Sequence, residues 1–227
     1  MGISASAHAT IVDLTFDGIA TTYPFTSSTT FIENYYNGGT SSVGTSGPNY
    51  GIAFSSNALN ICLNSTTVSC SNTSKGGLGP ANSREGALFF LSGSSTFMDV
   101  AAGFTTGFSF NYASFTESGS VSVFSGLDGS GSLLGTIALS PNVPGCPAYG
   151  ADFCPFSPVG VGFLGTAMSV EFAGVENQIV FDDVTFGSVT PGIPELSTWA
   201  MMGLGFAFLG FAGYRKAKSG RTALSAA

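Results

Sequence analysis

Between residues 10 and 190, apolar and polar side chains alternate in short runs separated by clusters of Gly, Ser, Asn and Pro. Phe108, Phe110 and Tyr112 are separated by Ser109 and Asn111, and Val121 and Val123 flank Ser122, so the apolar residues fall on every second position. That is the period of a strand with one face in a core, because successive strand side chains leave on opposite faces. Segments of this kind predict strands at 11–16, 50–55, 87–91, 96–100, 107–115, 120–124, 133–139, 167–172 and 178–186. No run of a dozen residues carries the apolar period of a crossover helix, which disfavours a parallel sheet. The pattern therefore predicts an all-β domain over 10–190: an antiparallel β-sandwich, jelly-roll-like, with long loops at 35–48 and 140–158. Gly126, Leu127, Asp128, Gly129, Ser130 and Gly131 read as a hairpin turn, since a phosphate loop needs a Lys and a following helix.

The pattern changes after Pro191. From Trp199 to Tyr214 no side chain is charged or strongly polar, and Leu196, Ser197 and Thr198 lengthen the stretch. As a helix it measures about 28 Å, close to the ~30 Å hydrocarbon core of a bilayer. One transmembrane helix is expected at 197–214, with Trp199 and Tyr214 at the two interfaces. A helix buried in a globular core is the other reading of an apolar run, but it leaves the flanking residues unexplained. Arg215, Lys216, Lys218 and Arg221 follow at once and form a basic tail over 215–221. The positive-inside rule places that tail in the cytoplasm and the strand-rich body on the far side.

Composition sharpens this division. Charged residues make up 8% of the chain against roughly 25% in ordinary soluble proteins, so hydroxyl and amide groups must do much of the solvating. Before Pro191 only Lys75 and Arg84 oppose twelve acids, whereas beyond it Glu195 faces four bases. Nucleic acid is excluded as a partner of the body, because such binding rests on clustered Lys and Arg. Cys62 and Cys70, and Cys146 and Cys154, form two pairs with the same spacing in irregular segments. Two local disulfides in an oxidising compartment are the simplest reading, with a zinc site as the rival. His8 lies between Ala7 and Ala9, an A-x-A pattern that predicts signal-peptidase cleavage after Ala9, with residues 1–9 as the remnant of a signal peptide. An N-terminus that merely contains alanines is the alternative.

Ile193, Pro194, Glu195, Leu196, Ser197, Thr198, Trp199 and Ala200 stand before the Gly-rich apolar span, and Arg215 and Lys216 close it. This tail, 191–227 with its motif at 193–200, resembles the PEP-CTERM sorting signal, a segment also catalogued as the C-terminal region of some ice-binding proteins. The resemblance implies that the tail is read by exosortase, a membrane-embedded, transpeptidase-like cysteine enzyme of bacteria that make extracellular polysaccharide. Pro194 and Glu195 match the first two motif positions, and Ser197, Thr198, Trp199 and Ala200 match the usual continuation. Leu196 stands where the family has a second proline. The body resembles recurring cargo domains of that family in Tyr36-Asn37-Gly38-Gly39, Asn49-Tyr50-Gly51, Phe108-Ser109-Phe110 and the run from Phe181 to Ser188. These are similar in pattern to exported lectin-like or galactose-binding-like sandwiches, which implies an envelope or matrix protein that meets polysaccharide.

Chemistry-bearing residues are sparse. His8 is the single histidine, so the mature region holds no Ser-His-Asp or Cys-His constellation and no His-ligated metal. No catalytic residue is assigned, and the body reads as a non-enzymatic structural or carbohydrate-binding domain that requires no cofactor. The alternative is a carboxylate-dependent polysaccharide-active enzyme, for which Glu117, Glu171 and Glu176 are the candidate acids. Asp182 and Asp183 point to opposite faces of a strand unless a bulge intervenes. With a bulge, they and Asp17 can join backbone carbonyls around a structural Ca²⁺, which favours oxygen ligands. Without one, one Asp is buried and hydrogen-bonded and the other exposed. Tyr35, Tyr36, Tyr50 and Tyr149 lie in or beside Gly/Asn/Pro-rich loops, where they either stack on sugar rings or pack the loops. Ice binding wants flat Thr arrays that the sequence does not display.

Overall fold

A computed structural model of the chain describes residues 11–20, 29–63, 85–142 and 155–191. The chain divides into two units, Met1–Gly192 and Ile193–Ala227, and every described residue belongs to the first. The period-two runs become strands: β1 (Val12–Leu14), β2 (Thr29–Phe31), β3 (Ile52–Phe54), β4 (Leu59–Cys62), β5 (Gly86–Phe89) and β6 (Ser95–Phe104). They continue as β7 (Gly107–Ser114), β8 (Gly119–Phe124), β9 (Leu133–Leu139), β10 (Ser157–Gly162), β11 (Ala167–Ala173) and β12 (Ile179–Phe186). Among the described residues there is no helix.

Among the described residues all pairings are antiparallel and give two sheets. The first runs β10-β7-β12-β5-β4-β2, with β1 also on β12; the second runs β3-β6-β11-β8-β9. β12 pairs with β7 along one side, while its other side is shared by β5 at Phe181 and by β1 at Val184, Thr185 and Phe186. From β5 onward the chain crosses between sheets at nearly every step, so β10-β7-β12-β5 in one sheet answers β9-β8-β11-β6 in the other.

Phenylalanines fill the space between the sheets. Phe172 of β11 packs on Phe181 of β12 with ring centroids 4.9 Å apart, and also meets Phe108 and Phe110 of β7. Most of these contacts are edge-on or tilted, the arrangement ring quadrupoles favour. A second, smaller apolar cluster holds Leu59, Ile61, Leu63, Ala87, Phe89, Ala113 and Val180. Val180 and Ala87 alternate with Phe181 and Leu88 of the main core, so this cluster lies on the other face of the first sheet.

Three strands were not expected from the sequence. β10 carries Pro158, Gly160 and Gly162, poor strand residues, but it is the edge of its sheet, where a missing N–H is tolerated. β4 hides its signal because it is buried on both faces, with polar Asn60 inside it. β2 is three residues long. The segment 35–48 is irregular as expected, braced by isolated bridges between Asn37 and Asn49 and between Thr40 and Ser46. The 126–131 segment does join β8 to β9, and it folds onto the second sheet: Gly129 N–H donates to Ser169 Oγ, and Asp128 N–H to Asp99 Oδ1.

Candidate functional site

Two places concentrate polar chemistry or exposed apolar surface. The first is the seam where β1, β5 and β7 meet β12. Asp182 pairs with Asn111 and Thr185 with Ser109, so two residues of β12 oppose Phe110 alone. This is a β-bulge, and its residue Asp183 has φ of 47°, in the left-handed region that Asp tolerates better than most residues. The bulge places Asp183 with Asn111, which donates from Nδ2 to Asp183 Oδ2 at 2.8 Å. It also brings Asp183 within electrostatic reach of Asp13 and Asp17. The Thr185 hydroxyl lies 3.1 Å from both Asp13 Oδ1 and the Asp183 carbonyl.

Burial dominates the electrostatics of this seam. It pushes the Asp183 carboxyl up to about 7, and the negative charge of Asp13 adds to the effect while the Asn111 hydrogen bond opposes it. Asp13 is raised for the same reason, against the hydrogen bond from Thr185. Asp183 Oδ1 is buried without a hydrogen-bond partner among the described residues. A charged carboxylate is costly there, so the neutral acid persists into the neutral pH range.

Asp17 does different work. Its Oδ1 accepts the N–H groups of Glu85 and Gly86 at 2.8 and 3.1 Å, which ties the end of β1 to the start of β5. The junction is tight, since a Cβ at Gly86 would stand 2.4 Å from Phe16 O. Phe16 itself has φ of 55° and is fully buried, held by its N–H to Tyr36 Oη and by the Asn60 amide to its carbonyl. Asp182 Oδ1 accepts the N–H of Asp183. Of the Ca²⁺ candidates, Asp17 and Asp182 thus each spend an oxygen on main-chain N–H groups. Among the described residues no group of three acidic, His or Cys side chains is arranged to hold a metal ion.

The other expected residues scatter. Glu117 is exposed in the irregular link between β7 and β8, Glu176 sits on the exposed turn between β11 and β12, and Glu171 lies on β11 opposite Phe97 and Ser122. Tyr35 and Tyr36 are buried and packed edge-on, so they are loop and core packing rather than sugar platforms. Tyr50 is 47% exposed and stacks on Tyr36. Cys62, buried at the end of β4, is disulfide-bonded. Cys70, Cys146, Cys154 and Tyr149 lie outside the described residues, as do the expected cleavage after Ala9, the motif at 193–200, the span at 197–214 and the basic tail. Among the described residues no helix is long and apolar enough to cross a membrane.

The second place is a groove of about 480 Å³ at the β2 edge of the first sheet. Phe31, Val43 and Leu91, three of the large apolar residues left exposed, converge there with Thr30, Ser42 and Asn57. Sequence reasoning missed it because its walls come from β2, the irregular 35–48 segment and the ends of β4 and β5. It missed Asp13 and Asn111 as well, although their alternation with core residues marks both as facing away from the main core.

No protein-family model matches the chain, and no curated protein matches it. Among solved structures, the chain is similar to the K2 cleaved adhesin domain of Lys-gingipain at 10% identity and a TM-score of 0.43, over 79% of this chain and 100% of that one. A TM-score below 0.5 does not establish a shared fold, so the function is read from this chain's own residues.

Proposed function

We propose that this chain is an exported bacterial envelope or matrix protein whose non-enzymatic body binds or organises polysaccharide and whose tail is a PEP-CTERM-type sorting signal. The observation that carries it is the succession of the Pro194-Glu195 motif, an uncharged span long enough for a bilayer, and Arg215, Lys216, Lys218 and Arg221. In this reading exosortase is the partner, the 197–214 helix anchors the chain before processing, and Arg215 to Arg221 hold its end in the cytoplasm. The disulfide at Cys62 fits an oxidising compartment. The strand order of the body, β10-β7-β12-β5 against β9-β8-β11-β6, supports the jelly-roll reading, and such a scaffold hosts many functions.

A Pro194→Ala/Glu195→Ala double variant tests the sorting role in the native host. It is expected to accumulate as an unprocessed membrane-bound form, whereas processing and distribution identical to the parent overturn the motif's part. For the body, glycan binding without turnover supports the reading. Hydrolysis abolished by Glu117→Gln, Glu171→Gln or Glu176→Gln replaces it with a carboxylate-dependent enzyme.

A further inference from the structure

We propose that the groove beside β2 is a binding site for a neutral sugar residue of a polysaccharide, with Phe31 as its stacking platform; this rests on the glycan-binding reading of the body. Among the described residues the lining contains no charged side chain. Its volume of about 480 Å³ lies in the ordinary ~300–1,000 Å³ range of ligand sites. An uncharged lining in an acidic body favours a neutral ligand over an anionic one, since the field of the body's carboxylates repels an anionic polymer.

The walls are preformed. Thr30 Oγ1 and Ser42 Oγ lie 2.8 Å apart, and Ser42 Oγ also accepts the Phe31 N–H at 2.9 Å. Asn57 Nδ2 donates to the carbonyls of Ser92 and Ser95 at 2.8 and 2.9 Å. Both amide hydrogens are thereby committed to main-chain oxygens, which fixes the amide orientation and leaves Oδ1 as an acceptor for a ligand hydroxyl. Phe31, 45% exposed, supplies the aromatic face, with Leu91 and Val43 beside it. A pyranose matches this mixture, for its ring has apolar C–H faces and a rim of hydroxyls.

The same hydrogen bonds disfavour a peptide. Strand addition requires free main-chain groups at a sheet edge. At Phe31 the N–H donates to Ser42 Oγ and the carbonyl accepts the Ser42 N–H, so that edge is already occupied.

The test is binding of the full-length chain in detergent to maltohexaose, cellohexaose, xylohexaose and galactomannan oligosaccharides, measured by calorimetry. Phe31→Ala is expected to weaken binding of the recognised sugar at least tenfold with the melting temperature unchanged, and saturation transfer from protein to sugar C–H protons is expected to fall with it. Leu91→Ser, the second variant, should weaken binding several-fold. Tyr50→Ala, outside the groove, should leave it within twofold. Binding lost in Tyr50→Ala but kept in Phe31→Ala overturns the groove while leaving the glycan-binding reading intact. No binding to any of the four sugars, or displacement only by apolar peptides, overturns the groove as a sugar site; acidic glycans bound by both the parent and Phe31→Ala would then show that the wider reading survives it.

Discussion

Around the bulge of β12, the first sheet buries two different kinds of group. Toward the second sheet, β7 and β12 present Phe108, Phe110, Phe181 and Phe186, apolar residues that need only shape to be satisfied. On the other side, the β1–β12–β7 seam buries Asp183, Thr185 and Ser109 beside Asp13 and Asn111, groups that need hydrogen-bond partners to be tolerated there. The difference predicts what each face contributes: the inner face a large part of the body's stability, and the seam a part of its dependence on pH.

The largest effect is expected on the inner face. Phe181→Ala removes a fully buried ring that touches Phe110 and Phe172, and should lower unfolding free energy by ~3–5 kcal/mol in urea titrations, equally at pH 4 and pH 8. A marked pH dependence of that loss would break the distinction between the faces.

The seam should answer to pH. Asp183 holds its proton more tightly folded, at about 7, than its ordinary value of 3.8, so it stabilises the body fully below about pH 4. That contribution is lost as pH rises toward and through about 7, and Asp13, also raised, acts in the same sense. Asp183→Asn imitates the protonated acid, and Asn also tolerates a positive φ. It should gain ~1–3 kcal/mol over the parent at pH 8 and nothing at pH 4. An unchanged slope of stability against pH in this variant would show that Asp183 does not set the pH dependence.

Smaller effects probe how the seam is held. Tyr36→Phe strips the acceptor from the buried Phe16 N–H and should cost ~1–3 kcal/mol, read as a lower denaturation midpoint. Gly160→Ala places a Cβ 2.1 Å from the carbonyl of Val189, where the chain leaving β12 crosses β10. It should cost ~1–3 kcal/mol and speed amide exchange at Gly187, whose N–H bonds to Gly107 O. Glu171→Gln, away from both regions, should change stability by less than ~0.5 kcal/mol.

How much of this was legible in the sequence depends on the demands of each face. Alternating Phe108, Phe110 and Tyr112 announced β7 because large aromatic residues on one face alternate with Ser109, Asn111 and Ala113 on the other, although nearly the whole strand is buried, and 133–139 coincided with β9. β4 and β12 are buried on both faces, and there the alternation loses its contrast. β12 was still found through its β-branched and aromatic residues, whereas Asn60 concealed β4. The Asp182-Asp183 pair raised the question of a bulge, and the bulge exists. That Asp183 would meet Asp13 and Asn111, from strands far away in sequence, depends on long-range pairing that no local pattern records. The groove was illegible for the same reason, since Phe31, Ser42, Asn57 and Leu91 come together only in three dimensions.

The tail is the reverse case: Pro194 and Glu195, the uncharged run and the four bases are local features, so the proposal of export and sorting rests on the sequence alone. The decisive experiment is mass spectrometry of the mature termini in cytosol, envelope and medium of the native host. The expected result is a body beginning at Thr10, found in envelope or medium, with its processed form ending near the 193–200 motif. The intact chain, with Trp199 and Arg215 still attached and freely dissolved in the cytosol, would refute both export and sorting.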